Sequence, residues 1–380
     1  MQYTEYELGE LLPFEQPTAY IVKSTDYNDC YSTPVLTAGK SFILGKTNEK
    51  YGIFDQLPVI IFDDFTTATQ FVNFKFKVKS SAMKILHINT ALVMPKYIFY
   101  RLQIIQFDHS THKRYWIQSY SKIKVSIPSL DEQSRIVSRI DELFSELDKA
   151  VDTLNTTKEQ LAVYRQAVLK DAFSNIPREM YKPLKLVMEE MPQNGLYKSK
   201  SFYGEGNPIL RIDGFYDGEV VPNYEYKRVR LEADEIKKYA LHIGDIVVNR
   251  VNSMSYLGKC ALIRNLEEPT IFESNVMRFR LDKQQIDLEY AMYYLSTSFG
   301  RHELIKNAKQ AVNQASINQT DVGNALIPIP KDLEAQRNIA QKISAHIAVC
   351  NNIEQGIDTA FAQADAMRQS ILKQAFEEKD

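Results

Sequence analysis

The chain has 380 residues, 44% hydrophobic and 25% charged, with a net charge of −2; that is room for two or more globular domains with ordinary cores. No uninterrupted apolar run of about 18 residues argues for a membrane span, and the acidic start MQYTEYELGE has no apolar stretch of the signal-peptide kind. Cys30, Cys260 and Cys350 are odd in number and far apart, which suits reduced thiols in a cytoplasm and not a disulfide framework or a zinc site.

Residues 1–128 are strand-like. Val59-Ile60-Ile61-Phe62 reads as a short buried strand. Phe71 to Lys79 alternates apolar and polar residues as a half-exposed strand does. Between them Asp63 to Gln70 forms a polar turn, and apolar spacing between Ile88 and Ile105 predicts a helix starting near Pro95. Charge is unevenly spread. Residues 1–64 hold four Lys and ten Asp/Glu, a net of −6; residues 65–128 hold ten Lys/Arg and one acid, a net of +9. A basic half is the footprint a phosphate backbone asks for, and a solvated face accounts for it equally well.

Residues 129–176 read as one long helix. Ile136, Ile140, Leu143, Leu147, Ala150, Leu154, Thr157, Leu161, Tyr164 and Val168 recur in steps of four and three, the seam of a coiled coil. Residues 177–330 return to the mixed style of the first module. Asn207-Pro208-Ile209-Leu210 resembles Thr33-Pro34-Val35-Leu36, Gly244-Asp245 opens a strand that ends in polar donors, Tyr290 to Leu295 looks helical, and Lys309 to Thr320 is rich in amides.

Residues 331–380 form a second long helix, and it repeats the first. A displacement of 203 positions (336 − 133) lays Gln133 on Gln336, Ile140 on Ile343, Arg165 on Arg368, Leu169 on Leu372 and Phe173 on Phe376 without a gap. The seam slots become Ile339, Ile343, His346, Cys350, Ile353, Ile357, Ala360, Ala364, Met367 and Ile371. Each helix could run roughly 60 Å at about 1.5 Å per residue, and a narrow stripe of that length wants a partner helix, for which the other copy is the obvious candidate. Two helices lying flat on their own modules would show a wider apolar stripe.

No catalytic constellation emerges. Gly39-Lys40-Ser41 ends like a phosphate-binding loop, but Pro34 stands where its first glycine belongs. Gly204 and Gly206 begin a dinucleotide pattern that Ile209 breaks, and the six histidines and three cysteines have no metal-ligand spacing. Asp63-Asp64 with Lys75 could be forced into a nuclease-like set, although a turn between strands explains the acids as well. No catalytic and no metal residue is expected.

Five stretches stand out together: the helix entries Ile127-Pro128…Glu132-Gln133 and Ile329-Pro330…Ala335-Gln336, Gly206 to Arg211, Gly244 to Val248, and Ile61 to Thr66. Through them the chain resembles, over essentially its whole length, the specificity subunit of Type I restriction–modification enzymes. Ala335 departs from the acid of the pattern. The resemblance implies an α+β fold of two similar mixed α/β target-recognition domains, each reading half of a split site in double-stranded DNA. The two long helices would separate them and pair as an antiparallel coiled coil through Ile136, Ile140, Leu143, Leu147, Leu154, Leu161, Ile339, Ile343, Ile353, Ile357, Met367 and Ile371. It also implies docking of two methyltransferase subunits carrying S-adenosylmethionine, with motor-nuclease subunits joining for cleavage, in the cytoplasm. No cofactor is expected in this chain, which would be non-catalytic.

Polar loop residues are the expected DNA contacts, because their donors and acceptors read phosphates and base edges. In the first module these are Lys40, Thr66, Thr67, Thr69, Gln70, Lys113, Arg114 and Tyr115. In the second they are Lys198, Lys200, Arg211, Asn249, Arg250, Asn252, Ser253, Lys309, Gln310, Asn313 and Gln314. Two other functions fit the same residues: the specificity subunit of a system whose nuclease and methyltransferase share one chain, and a coiled-coil scaffold that never reads DNA.

Overall fold

The computed structural model describes residues 3–37, 41–108, 114–312 and 314–377. It divides into two compact units. One holds Met1–Asn155 and Asp358–Asp380, and the other holds Thr156–Ile357. The long helices, Leu130–Ser174 and Leu333–Glu377, have 45 residues each, and each contributes to both units.

The same sheet plan occurs in each unit. In the first, an antiparallel sheet runs in the order Phe14–Glu15, Met83–His87, Val59–Asp63, Thr69–Val72. In the second, the order is Met188–Asn194, Val276–Leu281, Asp245–Asn249, Cys260–Leu262. The central strands explain why both runs are so apolar. Alternate side chains face opposite sides of a sheet, so Ile60 and Phe62 enter one core while Val59 and Ile61 enter another. Ile246 and Val248 divide from Val247 in the same way.

Each unit adds a three-stranded sheet centred on a Pro-containing strand, Thr33–Leu36 or Tyr203–Leu210, with one antiparallel and one parallel neighbour. Each also has a strand pair that delivers the chain to a long helix: Thr4–Glu7 with Lys124–Ile127, and Tyr181–Pro183 with Leu326–Pro328. One expected strand is not continuous. The alternating run from Phe71 to Lys79 is split between Thr69–Val72 and Lys77–Val78, which lie in different sheets. Lys77 is buried, donating to the carbonyls of Tyr51 (2.7 Å) and Gly52 (3.1 Å) and pairing with Glu49 at 3.1 Å, so it leaves the half-exposed pattern.

A duplicated glutamine anchors each long helix to its own head. Gln133 Oε1 accepts from Met94 N (2.7 Å), and its Nε2 donates to the carbonyls of Leu92 (3.1 Å) and Pro128 (2.9 Å). Gln336 Oε1 accepts from Asp287 N (2.8 Å), with Nε2 donating to Gln285 O (3.3 Å) and Pro330 O (2.8 Å). Both side chains are buried. Met94 and Asp287 precede the short helices Pro95–Leu102 and Leu288–Leu295. The amide therefore satisfies three backbone groups where short helix and long helix meet.

The helices pair antiparallel within each unit. In the second, Arg165 Nη2 bonds Asn351 Oδ1 and Glu354 Oε2, both at 2.7 Å. In the first, Arg368 bonds Asp148 and stands over the Phe144 ring at 5.1 Å. Displacement by 203 positions turns Arg165 into Arg368 and Asp148 into Asn351, so one cross-helix contact is written twice.

Ile136, Ile140, Leu143, Leu147, Leu154, Leu161, Ile339, Ile343, Ile357 and Ile371 are buried or half-buried. Ile353 and Met367 are not: they are 42% and 54% exposed. In the second helix Ile343, Cys350, Ile357 and Ala364 stay inside at seven-residue intervals, but the intervening slot moves one residue on, to Ile347, Glu354, Phe361 and Arg368. The bonds of Glu354 and Arg368 across the pair select that slot over the more apolar neighbours. His346 is accordingly exposed, its Nδ1 3.0 Å from Tyr164 Oη.

Candidate nucleic-acid interface

In the first head the surface is built on the turn after Val59–Asp63. Asp63 Oδ1 accepts from the amides of Phe65 (2.8 Å) and Thr66 (3.2 Å), and Thr67 takes a left-handed conformation at φ 57°. Asp64 points inward. Its Oδ2 lies 3.3 Å from the buried Lys84 ammonium, its Oδ1 accepts from Trp116 N (2.9 Å), and its carbonyl accepts from Tyr115 N (2.9 Å). The chain following Arg114 is thus stitched to Asp64 of this turn; Arg114, Thr66 and Gln70 are exposed and Thr67 is half-buried.

Two expected contacts lie elsewhere. Thr69 is buried, with Oγ1 accepting from Gln103 Nε2 at 2.5 Å. Tyr115 is 4% exposed and packs its ring 5.0 Å from Phe107, because the bond to Asp64 pulls it into the core. Lys40 and Lys113 lie outside the described residues. The acid–acid–lysine set does not form, since Lys75 pairs with Asp55 at 3.6 Å.

The charge asymmetry of this module is resolved internally. Lys75, Lys77, Lys84 and Lys124 pair with Asp55, Glu49, Asp64 and Glu5, all from the acidic half. Lys96 pairs with Asp141 of the helix. Lys79, Arg114 and Lys122 remain exposed without a carboxylate partner among the described residues.

In the second head the structure gathers the candidates into two groups. A small sheet, Val251–Asn252 with Ala315–Ser316 and Lys309–Gln310, carries Asn252, Lys309 and Gln310. It is extended by Ser253 on one side and by Gln314 in the hairpin loop, where Ala311 N donates to Gln314 O (2.7 Å). Asn313, in the same loop, lies outside the described residues.

The second group surrounds the turn Glu273 to Asn275. Arg211 Nε bonds Glu273 Oε2 (3.0 Å), and Arg250 Nη1 donates to Ser274 O (2.8 Å). Asn249 belongs here by position but is fully buried, with Nδ2 3.4 Å from Ile212 O. It ends a strand buried on both faces and is not a surface donor. Lys198 joins neither group, being paired with Glu235 (2.7 Å) and set over the Phe202 ring at 4.6 Å. Lys200 is exposed in the short turn that follows. Lys259, not among the expected contacts, has its ammonium 5.1 Å and 5.0 Å from the ring centroids of Tyr216 and Tyr256. The spacing Tyr256…Lys259 was its one signal, and Tyr216 is far away in the chain.

Comparison with known proteins decides the family. The model of the Type I restriction modification DNA specificity domain matches residues 2–161 and 187–360. The chain belongs to this family. It is a specificity subunit with two target-recognition domains, the two matches corresponding to the two copies of the sheet plan. The EcoR124I/EcoR124II specificity subunit of Escherichia coli is 31% identical over 373 residues, covering 92% of this chain and 88% of the relative. The EcoKI specificity subunit of Escherichia coli strain K12 is 26% identical over 271 residues, 68% of this chain and 58% of the relative. A solved chain from work on complex assembly and conformational transition of the type I R-M system shares the fold, with a TM-score of 0.67 at 17% identity over 98% of this chain and 97% of that one. Among the described residues no group of three or more His, Cys, Asp or Glu could hold a metal, and no helix is long and apolar enough to cross a membrane.

Proposed function

We propose that each target-recognition domain of this specificity subunit reads one half of a bipartite sequence in double-stranded DNA, and that the helix pair sets the number of unread base pairs between the halves. The same helices dock two methyltransferase subunits, which bring S-adenosylmethionine and the adenine-N6 chemistry; motor-nuclease subunits join for cleavage. This chain binds and positions, and no bond is made or broken on it. The supporting observation is one scaffold repeated with unlike surfaces. The sheet plan and the buried glutamine recur, while the first head presents Thr66, Thr67 and Arg114 and the second presents an amide-rich hairpin. A fixed scaffold with interchangeable donors is what two different words held at one spacing require.

The test is a map of methylated adenines in cells with and without the chain. Loss of a bipartite methylated motif on deletion is expected. Unchanged methylation favours a scaffold that never reads DNA. If the motif is lost and the adjoining subunit proves to be one chain with both nuclease and methyltransferase, the fused system is the right assignment.

A further inference from the structure

We propose that Arg250 reads a guanine in the half-site of the second head, through a guanidinium edge that the fold leaves open. This rests on the reading of the second head as a DNA-reading domain and deepens it to one residue and one base.

Arg211, Arg228, Arg230, Arg264, Arg278 and Arg280 of this head each face a carboxylate. Arg301 is tied at two nitrogens, Nε to Leu257 O (2.9 Å) and Nη2 to Met254 O (2.5 Å). Arg250 is half-buried and has neither arrangement. Among the described residues its single side-chain hydrogen bond runs from Nη1 to Ser274 O at 2.8 Å. Among the described residues its Nε is buried with no partner, and Nη2 does not share that burial. One N–H of Nη1 and one of Nη2 therefore remain as a two-donor edge, aimed by the carbonyl that holds the other side. Burial without a counter-charge also lowers its proton affinity from the ordinary guanidinium value.

Leaving a half-buried cation uncompensated is costly unless acceptors arrive from outside. Its position says which acceptors. Arg250 N donates to Asn275 O (2.9 Å) and Arg250 O accepts from Ile317 N (2.9 Å), so the residue is pinned between the Glu273–Asn275 turn and the root of the hairpin that carries Lys309, Gln310 and Gln314. Phosphates are met by long, exposed side chains that can adjust. A fork fixed by backbone on both sides matches the two acceptors, O6 and N7, that guanine offers in the major groove.

The experiment uses the full chain assembled with its methyltransferase subunits. The methylated motif and the rates on single-base variants of the site are read for wild type, Arg250→Ala and Arg250→Lys. We expect Arg250→Ala to relax one guanine position in one half of the site, discrimination there falling roughly 5- to 150-fold, while the other half is unchanged. Arg250→Lys, which keeps the charge but not the fork, should keep more of the rate yet lose the same discrimination. A uniform loss of rate with the motif intact would make Arg250 a phosphate contact and overturn the proposal, as would no change. If Arg250→Ala does not assemble, Arg250→Lys decides alone, and an unaltered motif overturns the proposal. A wild-type complex that methylates no bipartite motif would overturn the underlying reading and this proposal with it.

Discussion

Gln133→Leu should destabilise the first unit by about 3 kcal/mol. The substitution keeps the volume of a fully buried side chain and removes its three bonds, to Met94 N, Leu92 O and Pro128 O. A net value near 1 kcal/mol per bond gives that figure, and orphaned partners that water cannot reach would add to it. The only tryptophan of the chain, Trp116, is buried in the same unit, so its fluorescence follows this unit during urea unfolding. With a slope near 3 kcal/mol per molar urea, the midpoint falls by about 1 M. A midpoint within about 0.2 M of wild type would show that the amide does not hold the helix entry, and would deny Gln336 the same role.

Three further outcomes are expected. Lys84→Met strands the buried Asp64 carboxylate and should cost about 3–5 kcal/mol in the same assay; adding Asp64→Asn should recover part of that loss, and additivity of the two changes would deny the pairing. Burial pushes the Tyr120 phenol up to about 12. A folded-state value above the unfolded one means stability is intact below pH 10 and is lost as pH rises from 10 through 12, so alkaline unfolding followed at Trp116 should move to higher pH in Tyr120→Phe, and an unmoved transition would refute this. Arg114→Ala should weaken DNA binding of the assembled complex and lower the log–log salt slope by about 1 without altering the motif; an unchanged slope would remove Arg114 from the interface.

The long helices were legible because a seven-residue apolar pattern sustained through two 45-residue stretches fits a paired helix and little else. The choice between adjacent slots was not. Hydrophobicity prefers Ile353 and Met367, yet Glu354 and Arg368 turn inward because their charges find Arg165 and Asp148 on the facing helix, and no single-helix pattern contains that partner. The duplicated heads could be seen in Pro34 and Pro208 and in the two apolar central strands. The fate of the charges could not: acids and bases counted as separate halves of the first module fold against each other, pairing Lys77 with Glu49 and Lys124 with Glu5. Surface candidates failed for a similar reason. Thr69, Tyr115 and Asn249 have the right chemistry for a DNA contact, but strand parity and one bond from Asp64 turn them inward.

The first compact unit joins Met1–Asn155 to Asp358–Asp380, and this has a consequence for synthesis. Leu372 and Phe376 fill the first head's core against Tyr97 and under Arg101. About 200 residues must be translated between the two parts, which takes about 10–40 s at 5–20 residues per second. Through that interval the nascent first head waits with an apolar seat unfilled while Thr156–Ile357, contiguous in the chain, is free to fold as soon as it leaves the ribosome. The half of the protein made first is therefore the half finished last.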